Sequence, residues 1–292
     1  MNIAISGVSG FIGRALVARF ANIGHTTRGF SARSRIAPST LSGCEAVVHL
    51  AGEPVTQRWT PAAKERIRNS RIEGTRHLVQ AIAAMDTRKP SVLVSASAIG
   101  YYGSRGDEML TEQSSSGAGF LSDVCVDWEQ EAHEAEKLDV RVVTPRFGVV
   151  LGQGGGALQK MLPPFRMGVG GRIGSGKQWM SWIHLDDLAN LIVFAVMNAA
   201  LNGAVNATAP NPVTNADFTR EMAQAVNRPA VIPVPEFALS LLFGEMSTML
   251  VGGQRVIPRA TLDAGYRFRY SDLDSALAAL FGSHKTSGTP SA

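Results

Sequence analysis

Short apolar runs that alternate with amphipathic stretches predict an α/β fold: a doubly wound parallel sheet with a smaller, mainly helical C-terminal lobe. Three observations support this. "NIAIS", "AVVHL" and "SVLVS" are short and continuously apolar, as strands buried on both faces must be. Segments with three- and four-residue apolar spacing lie between them, and that alternation implies a parallel sheet covered on both sides. A glycine-rich turn, "GVSGFIG", joins the first strand to the first helix.

Taken in order, "NIAISG" is a strand ending in Gly, and "FIGRALVARFANIG" is a helix with a Gly stop. "HTTRGFSAR" is a weak second strand. Only "ARSRIAPSTLSGC" separates it from the buried strand "EAVVHLAG", too little for a full helix and a third strand, so this crossover is expected to be abbreviated. "TPAAKERIRNSRIEGTRHLVQAIAAM" predicts a long helix with Thr60 as N-cap and Pro61 in its first turn. "PSVLVSASA" and "VRVVTPRFGVVLG" are further strands. Between them an amphipathic helix is expected over 122–138, with Val124, Trp128, Ala132 and Ala135 on one face. The glycine-rich stretch from Gly148 to Gly176 suggests a mobile loop or lid more than a packed element. "DDLANLIVFAVMNAA" is a buried helix starting at Leu188, capped by Asp186 or Asp187, and "GAVNATAP" is a strand. "TNADFTREMAQAVN" is a helix capped by Thr214 or Asn215. The expected division is a sheet domain over 1–150, to which about 181–210 return, a C-terminal lobe over 151–282, and a frayed, flexible tail over 283–292.

Composition narrows the function. The net charge of +4 is scattered rather than gathered into a basic stripe, so nucleic-acid binding is not expected. Cys44 and Cys125 stand far apart, which argues against a disulfide framework and for a reducing compartment. The six His show no metal-ligand spacing, so no metal site is expected. The longest apolar stretches are too short or too interrupted to span a bilayer. "MNIAISG" enters a strand with no basic and apolar leader, so a cytoplasmic protein without membrane partners is expected.

Gly7, Gly10 and Gly13 carry the first functional signal. Gly7 permits a tight turn, Gly10 lets backbone N–H groups approach a pyrophosphate, and Gly13 lets helix and strand pack closely. The helix N-terminus then faces the anion, with Ser9, Phe11 and Ile12 beside it. This is the Rossmann arrangement for a dinucleotide. The spacing resembles that of extended short-chain dehydrogenase/reductases, the NAD-dependent epimerase/dehydratase superfamily. "VVHLAGE", "VSASAIGYYG", "PRFGVVLGQGGG" and "WIHLDDLA" are similar to its later motifs. More narrowly, "HLAGEPV", "GVVLGQGGGAL", "GSGKQWMSWIHLDDL" and "GQRVIPRATLDAGYRF" resemble its atypical 39U-type branch, which ends in a domain of unknown function. The likeness covers about residues 1–281. It implies a nicotinamide dinucleotide, with Leu50, Ala51, Gly52, Glu53, Ser95, Arg146 and Val149 as further cofactor-binding positions.

An acidic residue after the second strand usually holds the ribose hydroxyls of NAD. Here the segment reads "GFSARSR", and Ser31, Arg33 and Arg35 offer a hydroxyl and guanidinium groups instead. A guanidinium pairs well with phosphate, so NADP(H) is favoured over NAD(H). Arg71, where extended relatives commonly carry Asn, adds to that expectation.

The resemblance also exposes a gap. In the superfamily a Tyr exchanges a proton during hydride transfer at nicotinamide C4, and a Lys four residues later lowers its pKa and holds the ribose. Those slots fall on Leu121 and Cys125. Tyr102 and Ser97 are the candidate replacements, with His184 behind them. Trp179, Trp182, Phe165 and Met180 suggest an apolar substrate surface. Two functions remain open. One is an atypical oxidoreductase or epimerase acting on a small carbonyl, alcohol or nucleotide-sugar-like substrate. The other is a catalytically weak or inactive NADP(H)-binding regulator or redox sensor. The helix at 122–138 is a candidate homodimer surface.

Overall fold

The computed structural model describes residues 1–86 and 88–282; the tail expected over 283–292 lies outside them. In chain order the main elements are β1 (Asn2–Ser6), α1 (Phe11–Asn22), β2 (Thr26–Phe30), β3 (Ala46–His49), α2 (Pro61–Ala83), β4 (Val92–Ser95), α3 (Phe120–His133), β5 (Arg141–Phe147), β6 (Val149–Leu151), α4 (Gly156–Arg166), β7 (Trp182–His184), α5 (Leu185–Met197), β8 (Gly203–Ala207), α6 (Asn215–Ala225), α7 (Glu236–Phe243) and α8 (Leu273–Phe281). The main sheet runs β2-β1-β3-β4-β5-β8, all parallel, and Ser97–Ala98 adds a short pairing beside β5.

Side-chain alternation along the strands builds a core on each face. Ile3 and Ile5 of β1, Val48 and Val94 point to one side, where Leu16 and Phe20 of α1 meet Leu188 and Ile192 of α5. Ala4, Val47, Leu93 and Val142 point to the other, against Leu78 and Ile82 of α2 and Ala132 of α3. Each such Ile or Leu contributes about 1.5–3 kcal/mol by leaving water. β2 is the exposed edge, which is why its sequence is a poor apolar strand. The abbreviated crossover is one tight turn, Pro38–Leu41, anchored by the fully buried Leu41. With no third strand beyond β2, the chain returns directly to pair β3 on the opposite side of β1. That reversal is the topological switch point, where α/β sheets place their ligands.

Several boundaries differ from expectation. α3 begins at Phe120 because Gly119, at φ 104°, turns the chain into it, and residues 134–138 continue as a tighter turn. The cap of α5 is His184, whose Nδ1 accepts the Asp186 N–H at 3.1 Å, rather than Asp186 or Asp187. The Asp187 carboxylate is buried and accepts the N–H groups of Arg269 and Tyr270 at 2.9 and 2.8 Å. Thr60 caps α2 and Thr214 caps α6.

The glycine-rich stretch is not a bare loop. It contains α4, with Leu158 and Phe165 buried in the core of the C-terminal lobe beside Trp182, Phe218 and Leu277. Its glycines make room for Phe11: a Cβ on Gly152, Gly155 or Gly156 would lie within 2.8 Å of that ring. Phe11, at the start of α1, is thus clasped by the lobe. Among the described residues no helix is long and apolar enough to cross a membrane, and no His, Cys, Asp or Glu group is placed to hold a metal.

Backbone contact at Gly13 tests the β1–α1 geometry. A Cβ there would stand 2.2 Å from the Gly7 carbonyl oxygen and 2.9 Å from Val8 Cα. Gly13→Ala is therefore expected to cost about 1–3 kcal/mol in urea unfolding, as overpacked sites do. An unchanged midpoint contradicts this packing.

Candidate functional site

A cleft of ≈ 1000 Å³ opens at the switch point, between the carboxyl ends of β1, β2 and β3 and one face of α2. Gly7, Ser9 and Gly10 form its base after β1, Ser31 and Arg33 its edge after β2, and Leu50, Ala51, Gly52 and Glu53 its wall after β3. Gly7 has φ 77°, and a Cβ there would press 3.1 Å from the Leu50 carbonyl carbon and the Ala51 nitrogen. Only a bare glycine lets the first turn lie this close to the β3 loop.

Two buried side chains lock those loops together. Ser6 Oγ accepts the N–H groups of Leu50 and Ala51 at 3.1 and 3.2 Å and lies 2.6 Å from His49 Nδ1. With both N–H bonds received, the Ser6 hydrogen is directed to Nδ1, which assigns the imidazole proton to Nε2. Nε2 has no hydrogen-bond partner among the described residues. Burial, reinforced by the Arg71 charge, pushes His49 down to about 4, so it stays neutral.

Beyond β4 the structure places the remaining sequence candidates in a buried polar chain. Arg146 makes a bidentate pair with Glu129, Nε to Oε1 at 2.8 Å and Nη2 to Oε2 at 2.7 Å. Ser97 Oγ donates to Glu129 Oε1 at 2.6 Å, and Arg146 Nη1 donates to the Tyr102 hydroxyl at 2.9 Å. Tyr102 in turn donates to Asn206 Oδ1 at 2.7 Å. The Arg146 guanidinium also lies 3.4 Å from the Tyr101 ring centroid. Tyr102 is fully buried, and burial pushes its hydroxyl up to about 12 against the lowering effect of Arg146.

Several of the expected site residues lie elsewhere than in the lining of the cleft. The hydroxyls of Ser97 and Tyr102 both donate to partners inside the protein. Arg146 is held by Glu129 rather than facing a cofactor. His184 is a buried helix cap whose ring is tilted against Tyr270, centroids 4.1 Å apart, outside the cleft lining. Ser95 is fully buried at the end of β4, and Val149 pairs with Trp182 in the short β6–β7 ladder. Gly13 packs under Gly7, Phe11 sits among the lobe glycines, and neither they nor Ile12 line the cleft. Leu121 and Cys125 pack on Gly100, where a Cβ would be 3.2 Å from Leu121 Cβ and 3.8 Å from Cys125 Sγ. Burial raises the Cys125 thiol to about 12 and also raises Cys44.

The expected aromatic surface is likewise rearranged. Trp182 and Phe165 are core residues of the lobe. Trp179 is half-buried, with its indole N–H on Asp107 at 2.7 Å and the Arg255 guanidinium 4.5 Å above its ring. Met180 sulfur accepts from Asn215 at 3.6 Å. The apolar group nearest the head of α3 is instead Trp59, Phe120, Leu121 and Met246, with Trp59 and Phe120 edge-to-face at 5.2 Å. Sequence reading also missed the α2 wall of Arg66, Asn69, Ser70, Glu73, Gly74 and His77. Their three- and four-residue spacing was the available signal for one helix face.

Residues 3–207 match the NAD dependent epimerase/dehydratase family, and residues 234–280 match DUF1731, a domain of unknown function. The chain belongs to the NAD-dependent epimerase/dehydratase family. Among similar members, the epimerase family protein SDR39U1 homolog, chloroplastic, of Arabidopsis thaliana is 42% identical over 301 residues, covering 96% of this chain and 86% of that one. Epimerase family protein YfhF of Bacillus subtilis is 40% identical over 304 residues, covering 98% and 100%. The crystal structure of human epimerase family protein SDR39U1 with NADPH superposes with a TM-score of 0.89 at 35% identity, over 96% of this chain and 99% of that chain. The atypical, 39U-type branch of the family is therefore the right one, and its Rossmann-like parallel sheet is shared.

His49 supplies a pH test of the clamp. The unfolded imidazole takes a proton near 6.5 and the folded one only near about 4. Between those values the unfolded state binds more protons, so stability is complete above 6.5 and falls as pH drops toward 4. Between pH ~7 and ~4.5, wild type is expected to lose about 2 kcal/mol more unfolding free energy than His49→Gln. Equal losses in the two proteins count against a buried neutral His49.

Proposed function

We propose that the chain binds NADP(H) in the switch-point cleft and is an oxidoreductase that exchanges hydride with a small carbonyl compound without a tyrosine acid. The observation that carries the cofactor reading is the cleft edge after β2, where Ser31 and Arg33 are exposed and no carboxylate follows the strand. A serine hydroxyl and a guanidinium suit a 2′-phosphate, whereas ribose hydroxyls would be met by an acid. The NADPH in the human relative's structure supports the same reading.

The reaction reading rests on Leu121. Reducing a simple ketone makes an alkoxide, which needs a proton donor within hydrogen-bond reach in the same step. Leu121 offers none, and the hydroxyls of Ser97 and Tyr102 are engaged elsewhere. Conjugated carbonyls such as quinones and enones fit better, because hydride addition gives a delocalised anion that solvent can protonate afterwards. The half-buried Phe120 and Leu121 at the head of α3 suit a flat acceptor. Sugar epimerisation fits less well, since an alcohol must lose a proton as it gives up hydride.

A second reading, an NADP(H)-binding regulator with little turnover, is favoured by the same missing acid. A thiol-based sensor is disfavoured, because Cys44 and Cys125 are both buried with raised pKa values. NADPH is expected to bind at least about tenfold more tightly than NADH, a gap of about 1.4 kcal/mol, and Arg33→Ala is expected to remove most of it. Equal affinities in the wild type reject the 2′-phosphate assignment. Following the nicotinamide absorbance with quinones, enones, simple ketones and nucleotide sugars separates the two functions. Turnover confined to conjugated acceptors supports the oxidoreductase, binding without oxidation of any acceptor supports the regulator, and brisk simple-ketone reduction overturns the missing-acid argument.

A further inference from the structure

Arg71 is a cation with no carboxylate in salt-bridge contact among the described residues, the Glu53 carboxylate acting on it only from farther away. Its Nη1 donates to the backbone oxygens of Glu53 at 3.0 Å and Ile67 at 3.1 Å. Among the described residues Nε and Nη2 have no hydrogen-bond partner, and no acidic oxygen lies within salt-bridge distance. The guanidinium stands 5.1 Å from the Trp128 ring centroid, and its charge acts on the neighbouring Cys125 thiol. It also lies against the cleft wall: a Cβ on Gly52 would be 3.2 Å from Arg71 Cζ and 3.3 Å from Nη2. A half-buried guanidinium with spare donors and no carboxylate in salt-bridge contact, set directly behind Gly52 of the cleft wall, is poised for an oxygen-rich ligand.

Its position selects the part of the ligand. The pyrophosphate of a dinucleotide lies on the α1 N-terminus at Gly7–Gly10. Ser31 and Arg33, after β2, lie on the adenosine side. Gly52 and Glu53, after β3, lie across β1 from them, where the chain leads on toward β4. Arg71 is therefore on the nicotinamide side, separated from Arg33 by the switch point. The sequence-level expectation that both Arg residues serve the 2′-phosphate does not fit this arrangement.

We infer that Arg71 holds the nicotinamide ribose, its free guanidinium N–H groups donating to the ribose hydroxyl oxygens, so that a cation from α2 serves where α3 presents only Cys125. The assignment rests on the proposed NADP(H) binding and adds to it which side chain positions the reactive half of the cofactor. Glu53 and Ile67 fix one edge of the guanidinium through their carbonyls, and Gly52 leaves the approach open. A side chain at Gly52 would cover that approach.

The test measures binding of NADPH, NADH and 2′,5′-ADP to full-length wild type, Arg71→Gln and the double variant Arg71→Gln with Cys125→Lys. Arg71→Gln is expected to weaken NADPH and NADH by the same factor, about tenfold, as loss of charge-assisted bonds does. Its affinity for 2′,5′-ADP, which lacks the nicotinamide half, is expected to stay within about twofold of wild type by the same affinity arithmetic, which also reports that the variant is folded. Returning a cation through Cys125→Lys is expected to recover most of the lost affinity. A purely structural role for the bonds to Glu53 and Ile67 predicts no such recovery. As a second variant, Arg71→Lys is expected to bind both dinucleotides more tightly than Arg71→Gln. Selective loss of NADPH over NADH, weakened 2′,5′-ADP binding, or unchanged dinucleotide binding each overturns the Arg71 assignment while leaving cofactor binding in place. A wild type that binds neither dinucleotide overturns both.

Discussion

Glu129 and Arg146 leave water together, and much of the site follows from the bonds they then require. A buried carboxylate or guanidinium left unpaired costs several kcal/mol, so each must be met at almost every polar atom. Two bonds between the pair, one from Ser97 and one to Tyr102 meet that demand. Tyr102 passes the chain to Asn206 of β8, and Asn206 Nδ2 donates to the Ile257 carbonyl in the C-terminal lobe. One ion pair therefore ties α3, the end of β4, β5, β8 and the lobe into a common arrangement. It also uses the two hydroxyls that a reductase of this shape would otherwise have available.

What is left beside the head of α3 is a largely buried apolar group. Leu121 and Phe120 meet Trp59 and Met246, while the Arg71 guanidinium on α2 stands beside Trp128. The division has a physical basis. α3 turns Cys125 and Trp128 inward and presents no cation of its own there. A guanidinium entering from α2 keeps its stem among apolar groups and its head at the cleft wall. The site thus has the parts to hold a nicotinamide dinucleotide and few with which to move a proton.

Much of this was legible in the chain because it depends on local chemistry. The glycine spacing before α1, the Thr60–Pro61 helix start and the buried strands are each short-range statements about backbone freedom, orphan N–H groups or apolar burial. They carried the parallel sheet, the shortened crossover after β2, the family and most of the cleft base. The helix inside the glycine-rich stretch escaped because Gly and Pro suppress its local signal, while Leu158 and Phe165 are held by distant parts of the lobe. The cap of α5 was displaced from Asp186 and Asp187 to His184 for a similar reason. Asp187 is drawn inward by the N–H groups of Arg269 and Tyr270, some eighty positions away.

The sequence by itself determined the sheet, its switch point and the residue types along the cleft, including the absence of an acid after β2 and of a tyrosine at Leu121. Only the tertiary structure decided which polar side chains remain free to act. Ser97, Tyr102 and Arg146 look like site residues in the chain, because hydroxyls and guanidinium groups after sheet strands so often face a ligand. Their partners Glu129 and Asn206 come from other elements, and a hydrogen bond to a distant partner leaves no periodicity or spacing to read. Arg71 is the converse case: its place on α2 was plain, but its lack of a carboxylate in salt-bridge contact and its closeness to Gly52 and Cys125 exist only after α2, α3 and the β3 loop have packed together.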